Sequence, residues 1–478
     1  MITIAPWAQQ EVAAAEFGDD RLDDRMGKLL SALGNRPNLS IPAACGGRAE
    51  LKGAYRFFDN DKVTFDTVLA PHVSRTLERV AEQKVVLLVQ DTSEIDLTRP
   101  EQEVAGVGTL DGSRSGFLLH EMQAFTPEGT PLGTVWAEIV NRTEGVSHAS
   151  AAEKRHERKH TPIEDKESMR WLTGLRQARA VAQQLPEVQC VCVADSEADI
   201  YELFAESRGA QPVHWLIRAC QDRALETDSV GHLRDQVLAT PVLYDVDLQI
   251  RGRHAKTAVE ERARRQNRES RSAAVQVRAA TLTLRPPWRP DRELPPVQVN
   301  VVLVSEPNPP AGEPPVEWIL VTTLPIDTPE QVRAIVAYYC VRWCIEIFFR
   351  TLKSGCRIER RRFEHVDRVK PCLALYLIVA WRTLFVCRMG RDCPDLDCEA
   401  IFEPSEWKAV WQAVHQQRPP QQAPRLSVMV HLVARLGGYV ERPHSEPGAQ
   451  TVWIGLQRMY DLAWAWDSFG PEAKMSSG

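Results

Sequence analysis

The chain has 478 residues, too many for a single core, so two or three domains are expected. Hydrophobic residues at 44% and charged residues at 26% describe a globular protein and exclude a disordered or fibrous one. A formal net charge of −6 excludes a uniformly basic nucleic-acid binder, so phosphate recognition would have to rest on local patches.

Residues 1–70 read as a small helical unit. GDDRLDDRMGKLLSAL (18–33) carries apolar residues at helical spacing, and ELKGAYRFFDN (50–60) predicts a second helix with an aromatic face. A strand over 84–90 follows and ends at Asp91, then strand-like runs at 117–125 and 132–140, a helix around 167–184, and the run VQCVCVA ending at Asp195. Val-rich continuous runs of this kind suit strands covered on both faces. An aspartate just past the carboxyl end of such a strand stands where open α/β sheets place their chemistry, although for either one alone a turn or cap is the simpler reading. His120 lies in a strand and reads as a structural histidine. His156 and His160 stand four apart in EKRHERKH, a spacing open to a metal, but a charged lead-in to the next helix is the simpler reading.

About 150 residues separate Asp195 from Glu346, more than a strand-to-helix connection needs. The stretch predicts a β-rich insert, with strands at 242–250, 273–284 and 297–304. Two basic patches answer the acidic sum: 12 Lys/Arg against 4 Asp/Glu from Gln249 to Arg292, and 9 against 4 from Tyr339 to Lys370. Inside the second, YYCVRWCIEIFFRTLKSG (338–355) predicts one helix. Tyr339, Arg342, Glu346, Arg350 and Lys353 fall on a single face of it at about 100° per residue. A carboxylate ringed by cations and a phenol suits a metal ion beside a gripped phosphodiester; an intrahelical Glu346–Arg350 pair is the plain alternative. Asp91 and Asp195 favour the first, because three carboxylates can hold two divalent ions about 4 Å apart for in-line attack at phosphorus.

Eleven cysteines, an odd number, without a secretory leader predict reduced, mostly buried thiols. CLALYLIVAW (372–381) is about half a membrane span, is closed by Arg382, and predicts a core helix; no transmembrane segment is expected. Beyond about residue 391, RPPQQAP (418–424) separates helical segments, and 451–469 predicts a Trp-rich amphipathic helix.

With these motifs the chain resembles the transposon-five-type transposases of the insertion-sequence-four family, ribonuclease-H-like enzymes with an Asp-Asp-Glu triad. Tyr339, Arg342, Glu346 and Lys353 match that family's tyrosine-arginine-glutamate-lysine-lysine signature in residue and spacing, with Arg350 in place of the fourth-position lysine. There a planar fork replaces a point charge. GAYRFF (53–58), DTS (91–93), DKESMRWL (165–172), DSEADIY (195–201), EWILVTT (317–323) and RLGGY (435–439) extend the likeness nearly end to end.

The resemblance implies an α/β chain: a helical end-DNA-binding domain over 1–70, a ribonuclease-H-like catalytic domain over 71–390 with a β-rich insert at about 220–320, and a helical dimerisation domain over 391–478. It implies two Mg²⁺ ions on Asp91, Asp195 and Glu346, with Mn²⁺ able to substitute. DNA contacts would come from Tyr339, Arg342, Arg350, Lys353, Trp318, Arg21, Arg25 and Arg56. Trp318, 21 residues before Tyr339, takes the place of the family's base-stacking tryptophan. The implied activity is cut-and-paste transposition by a homodimer that pairs inverted-repeat ends and attacks target DNA, in a bacterial cytoplasm and without a membrane. A ribonuclease-H-like nuclease that cannot join strands, or a non-catalytic element-end DNA-binding regulator, are the alternatives. The intact triad weighs against the regulator, since three clustered carboxylates beside phosphate are electrostatically costly.

Overall fold

The computed structural model describes residues 4–471 apart from 100, 143–149, 151–152, 154–156, 158–159, 210–212, 227–230, 251–268 and 443–444. Two compact units divide the chain: residues 1–148 with 343–478, and residues 149–342.

The first unit opens with α1 (Pro6–Glu11), α2 (Asp20–Asn35), α3 (Ile41–Cys45), α4 (Arg48–Phe58) and α5 (Phe65–Ala81). Local chemistry sets their starts. The Asp19 carboxylate accepts the Arg21 N–H at the head of α2, and Thr64 and Thr67 cap α5 reciprocally. The strands β1 (Val85–Asp96), β2 (Gly108–Thr109), β3 (Ser115–Phe125) and β4 (Pro131–Val140) follow, with β3 antiparallel to both β1 and β4. Asp91 was expected just past a strand end. Instead β1 runs on to Asp96, because the eleven-residue β3 supplies partners throughout and sets Asp91 opposite Glu121.

The second unit holds α6 (Met169–Gln184), β5 (Gln189–Ala194), α7 (Tyr201–Ala205), β6 (His214–Arg218), α8 (Leu233–Leu238), β7 (Tyr244–Ile250), β8 (Arg271–Leu284), β9 (Val297–Ser305), β10 (Glu317–Thr322) and α9 (Pro329–Val341). Its strands lie in the order β5-β6-β10-β9-β8-β7. Only β5 and β6 are parallel, so the β-rich insert is an antiparallel ribbon extending a parallel pair. Asp195 follows β5 directly, as expected.

The first unit resumes with α10 (Trp343–Arg350), α11 (Val366–Asp392), α12 (Pro404–His415), α13 (Leu426–Leu436) and α14 (Ala449–Phe469). By length and composition α11 could cross a membrane, but 78% of its apolar window is buried within the protein, where it packs on α5, β4 and α13. Phe402, Trp407, Met429, Val433 and Leu456 close a core around the last three helices. Seven of the eleven cysteines are buried, and all are free thiols.

One polar cluster fastens α1 to the strands. Glu11, His72 and Thr134 are buried together. The Thr134 N–H donates to His72 Nε2 at 3.2 Å, so the proton sits on Nδ1, which donates to Glu11 at 2.5 Å. Burial pushes the His72 pKa down, and the imidazole is neutral. Burial would push the Glu11 carboxyl up, yet its bond to His72 and the guanidinium of Arg79 at 2.7 Å bring it down to about 2. With His72 neutral, the charge that answers Glu11 is Arg79. Arg79→Leu should therefore leave a buried carboxylate without its cation and cost about 3–5 kcal/mol in urea unfolding at pH 7. The Glu11 contribution is present above the unfolded carboxyl value near 4.5 and is lost as pH falls toward 2. Acid titration of stability should accordingly be shallower in Arg79→Leu than in the parent.

Candidate active site

In the second unit, β5, the turn after it, β6, β10 and α9 bring Asp195, Arg218, Trp318, Tyr339 and Arg342 into one neighbourhood. Asp195 caps a short turn, its Oδ1 accepting the Glu197 N–H at 2.8 Å. The half-buried Trp318 meets buried Tyr339 edge-on, with ring centroids 5.5 Å apart. Arg342 lies 5.9 Å from the same Tyr339 ring. Burial raises the Tyr339 hydroxyl pKa, the cations of Arg218 and Arg342 pull it down, and the charge of Asp195 adds to the rise. The tyrosine thus senses Asp195, Arg218 and Arg342 together.

Arg218 escaped the sequence reading. It ends β6 and donates to the Ser196 hydroxyl at 3.2 Å, beside Asp195. An arginine closing an apolar strand, in HWLIR, was the available signal. Fully buried Asp199 holds the loop after β6: it accepts the N–H groups of Cys220 and Gln221 at 2.8 and 2.9 Å and pairs with Arg223.

In the first unit, α10 packs on β1, which brings the helix of Glu346 to the strand of Asp91. The Asp91 Oδ1 accepts the Thr92 N–H at 2.7 Å, fixing the carboxylate as Asp195 is fixed. Glu346 and Arg350 are exposed, and Arg350 donates to Gln450 at 2.9 Å. Lys353 pairs with Glu359 at 3.7 Å.

The single helix expected over 338–355 is in fact three pieces. Helix α9 stops at Val341, where the Arg342 N–H turns back to Tyr339 three residues earlier. Helix α10 ends at Arg350 and passes into a wider π turn over Thr351–Gly355. The Thr351 hydroxyl bonds the Ile347 carbonyl at 2.9 Å, competing with the helical ladder, and Gly355 lets the Trp453 ring approach. The five signature residues differ in exposure: Tyr339 and Arg342 are buried, Lys353 is half-buried, and Glu346 and Arg350 are exposed.

Among the N-terminal arginines, Arg21 has a 91% exposed side chain and pairs with neighbouring Asp19, and Arg56 is exposed. Arg25 bonds Glu50 and lies over Gly53, joining α2 to α4. His120 is a satisfied structural histidine, bonded to Thr92 and Gln90. His156 lies outside the described residues, and His160 packs edge-on against Trp288. Most of the first basic patch (251–268) also lies outside them. Of its remaining arginines, Arg271, Arg289 and Arg292 bond Glu306, Glu202 and Glu164, so their charges are already answered. A cleft of about 840 Å³ in the first unit is lined by Asp59, Asp61, Asp66, His365 and Asp367 and includes none of the expected site residues.

Three family profiles match the chain: Transposase DNA-binding over residues 4–63, Transposase DDE domain over 173–381, and Transposase Tn5 dimerisation domain over 378–464. The chain belongs to the Tn5-type DDE transposases. It is a DNA-binding, DNA-cleaving transposase that dimerises, and its mixed α/β fold holds a ribonuclease-H-like core. Asp195, Trp318, Tyr339 and Glu346 of the transposase lie inside the DDE match, whereas β1 and Asp91 precede it. DDE domains work with divalent metal ions, and hard carboxylate oxygens with one oxygen already fixed by a backbone N–H are fitting donors. Among the described residues, no three Asp, Glu, His or Cys side chains are drawn together as a metal cage.

Glu121 stands opposite Asp91 in the β1–β3 ladder of the transposase and is buried. Burial pushes its carboxyl up to about 8, against hydrogen bonds from Thr134 and Gln123. The folded state therefore keeps a proton that the unfolded state releases above about pH 4.5. Stability falls by about 1.4 kcal/mol per pH unit from there to about 8. Glu121→Gln should remove that loss, raising the melting temperature at pH 8 and leaving it nearly unchanged at pH 4.

Proposed function

We propose that the transposase excises a DNA element and joins it elsewhere, using Asp91, Asp195 and Glu346 as the carboxylates of one two-ion site for Mg²⁺, with Mn²⁺ as a substitute. Bound there, such ions would supply a more acidic water and neutralise charge on the leaving oxygen. The chain's own residues do the rest. Asp91 and Asp195 present carboxylates pre-oriented by the Thr92 and Glu197 N–H groups. Arg350 and Lys353 bind terminal phosphates from the surface, while Arg342 and Tyr339 do so from a partly closed wall beside Trp318. Arg21 and Arg56, exposed on the N-terminal helices, read the element ends, and Arg25 holds those helices in register.

The observation that carries this reading is the company kept by Tyr339: a stackable indole on its ring, two arginines beside it and the charge of Asp195 within reach. A base pushed from the helix has an aromatic face to lie on, and the bent strand has cations to neutralise it. That combination supports a nick, then a hairpin on the element end, hairpin opening and strand transfer, carried out by a dimer holding two ends. The domain arrangement that goes with it is end binding over 1–70, catalysis over 71–390 and dimerisation over 391–478.

Asp195→Ala should abolish nicking of end-containing duplex while leaving its binding in a gel-shift assay within about threefold, since losing a ligand removes chemistry more than affinity. Nicking that survives this change defeats the two-ion site. Trp318→Ala should spare the first nick and reduce hairpin formation roughly ten- to hundredfold, the scale of one base–aromatic stack at about 1–3 kcal/mol. Equal loss of both products on a denaturing gel would make Trp318 a packing residue. A parent protein that nicks without ever forming a hairpin would instead be a nuclease of the same fold.

A further inference from the structure

The parallel strands β5 and β6 run in register up to Ala194 and Ile217, so Asp195 and Arg218 stand side by side at the carboxyl end of the pair. Beyond that point the chain turns away on both strands. From β5 it enters a tight turn over Asp195–Asp199, in which the Ala198 and Asp199 N–H groups bond the Asp195 and Ser196 carbonyls at 3.2 and 3.3 Å. From β6 it enters the loop 219–223. No ladder joins two loops that leave neighbouring parallel strands, so their spacing has to be fixed by other bonds.

Asp199 makes those bonds. Its Oδ2 accepts the Cys220 and Gln221 N–H groups at 2.8 and 2.9 Å. Its Oδ1 accepts Arg223 Nε at 2.8 Å and Nη2 as well, and Nη2 also reaches the Asp199 carbonyl at 2.7 Å. Both oxygens are thus answered twice. The guanidinium lies 5.1 Å from the Phe204 ring and 5.8 Å from that of Tyr201, so α7 closes a further side. The Asp199 side chain is wholly shielded from solvent and that of Arg223 nearly so. A buried ion pair is a poor source of stability, because apolar residues of similar size often serve as well or better. What a planar fork on a carboxylate does supply is fixed geometry.

We infer that Asp199 and Arg223 are positioning residues for the transposase reaction: a buried latch that fixes the Asp195 turn against the loop after β6 and so sets Arg218 beside Asp195. Arg218 directly precedes the latched loop and donates to the Ser196 hydroxyl at 3.2 Å, so releasing the loop frees the arginine to swing away from the turn. The same loop bears on the indole. The Ala219 N–H bonds the Ile319 carbonyl at 2.7 Å, one residue from Trp318 on β10. Neither Asp199 nor Arg223 touches DNA in this arrangement; both act through the side chains they hold in place. Misplacing a reacting or strand-holding group by about 1 Å can cost on the order of a hundredfold in rate.

The latch has this role only where Asp195 is the site carboxylate proposed above, and the test separates the two. The full-length protein, in excess over a duplex carrying the element end, would be followed through a single round of nicking at a series of protein concentrations. That yields the rate at saturation and the half-saturating concentration separately. Asp199→Leu combined with Arg223→Met removes the latch without stranding a buried charge. This double variant should melt as one cooperative unit near the parent and keep the half-saturating concentration within about threefold, yet nick at saturation at least about tenfold more slowly. Arg223→Lys keeps the charge but not the fork, and should slow nicking about three- to tenfold. Where the double variant does not fold, Arg223→Lys decides alone. Parent-like nicking at saturation by a folded variant overturns the proposal, because Asp199 and Arg223 are then packing for the loop. A loss that falls wholly on the half-saturating concentration also overturns it, because the latch then shapes a binding surface instead of the site. If Asp195→Ala still nicks, the reading of the site itself has failed. If Asp195→Ala is inert and the latch variants nick like the parent, only the latch has.

Discussion

The first unit depends on the pairing of β1 with β3. Ten consecutive pairs, from Leu87–Phe125 to Asp96–Gly116, hold apolar and polar halves of the same two strands in register. The apolar half, Val86–Val89, is buried on both faces and anchors the pair in the core. Everything polar inherits its place from that fit. Asp91 faces Glu121, and His120 reaches Thr92 and Gln90 on the opposite face. The strand goes on pairing past Asp91, so the aspartate sits in a continuous ladder and not on a loop. A carboxylate on such a strand has little backbone freedom, which is what a preorganised ligand requires.

The second unit uses a different device. Asp195 comes off the end of the parallel strand β5, where a strand-to-turn transition exposes a side chain, and the adjoining β6 ends in Arg218. The loop beyond β6 is held by buried Asp199, whose oxygens answer two backbone N–H groups and Arg223. The antiparallel ribbon then continues the sheet through β10 and delivers Trp318 to Tyr339 on α9. The long insert is accordingly part of the construction of the proposed site.

The order β-β-β-α-β, the β-rich insert and the core helix at 366–392 were legible because each rests on a run of apolar residues with one period. The terminal helices were legible for the same reason. Asp195 was legible at the end of its strand, because the Val-rich run stops at Asp-Ser-Glu, and it also caps the turn that follows. Less legible were features set by partners distant in sequence. The extension of β1 beyond Asp91 depends on the length of β3, and no local pattern announces it. The burial of Arg342 and the breaks at 342 and 351–355 were missed because helical spacing alone assumes uniform winding. Nor does any local pattern show that Glu121 faces Asp91, which only the pairing of β1 with β3 decides. Arg25 shows the reverse: a resemblance marked it for DNA, while its position over Gly53 also gives it a structural task.

The π turn over Thr351–Gly355 bears on how such chains can change length. A turn of this width holds one residue more than α-helical winding between the same flanks. Deleting one residue there would let the segment relax into ordinary helix without rotating α10 against α11. The same deletion within Trp343–Arg350 would swing every later side chain by about 100° and carry Lys353 away from Glu359. Length variation among related chains should therefore collect at this turn. A comparison that assumes constant spacing from Tyr339 onward would slip by one residue just beyond it.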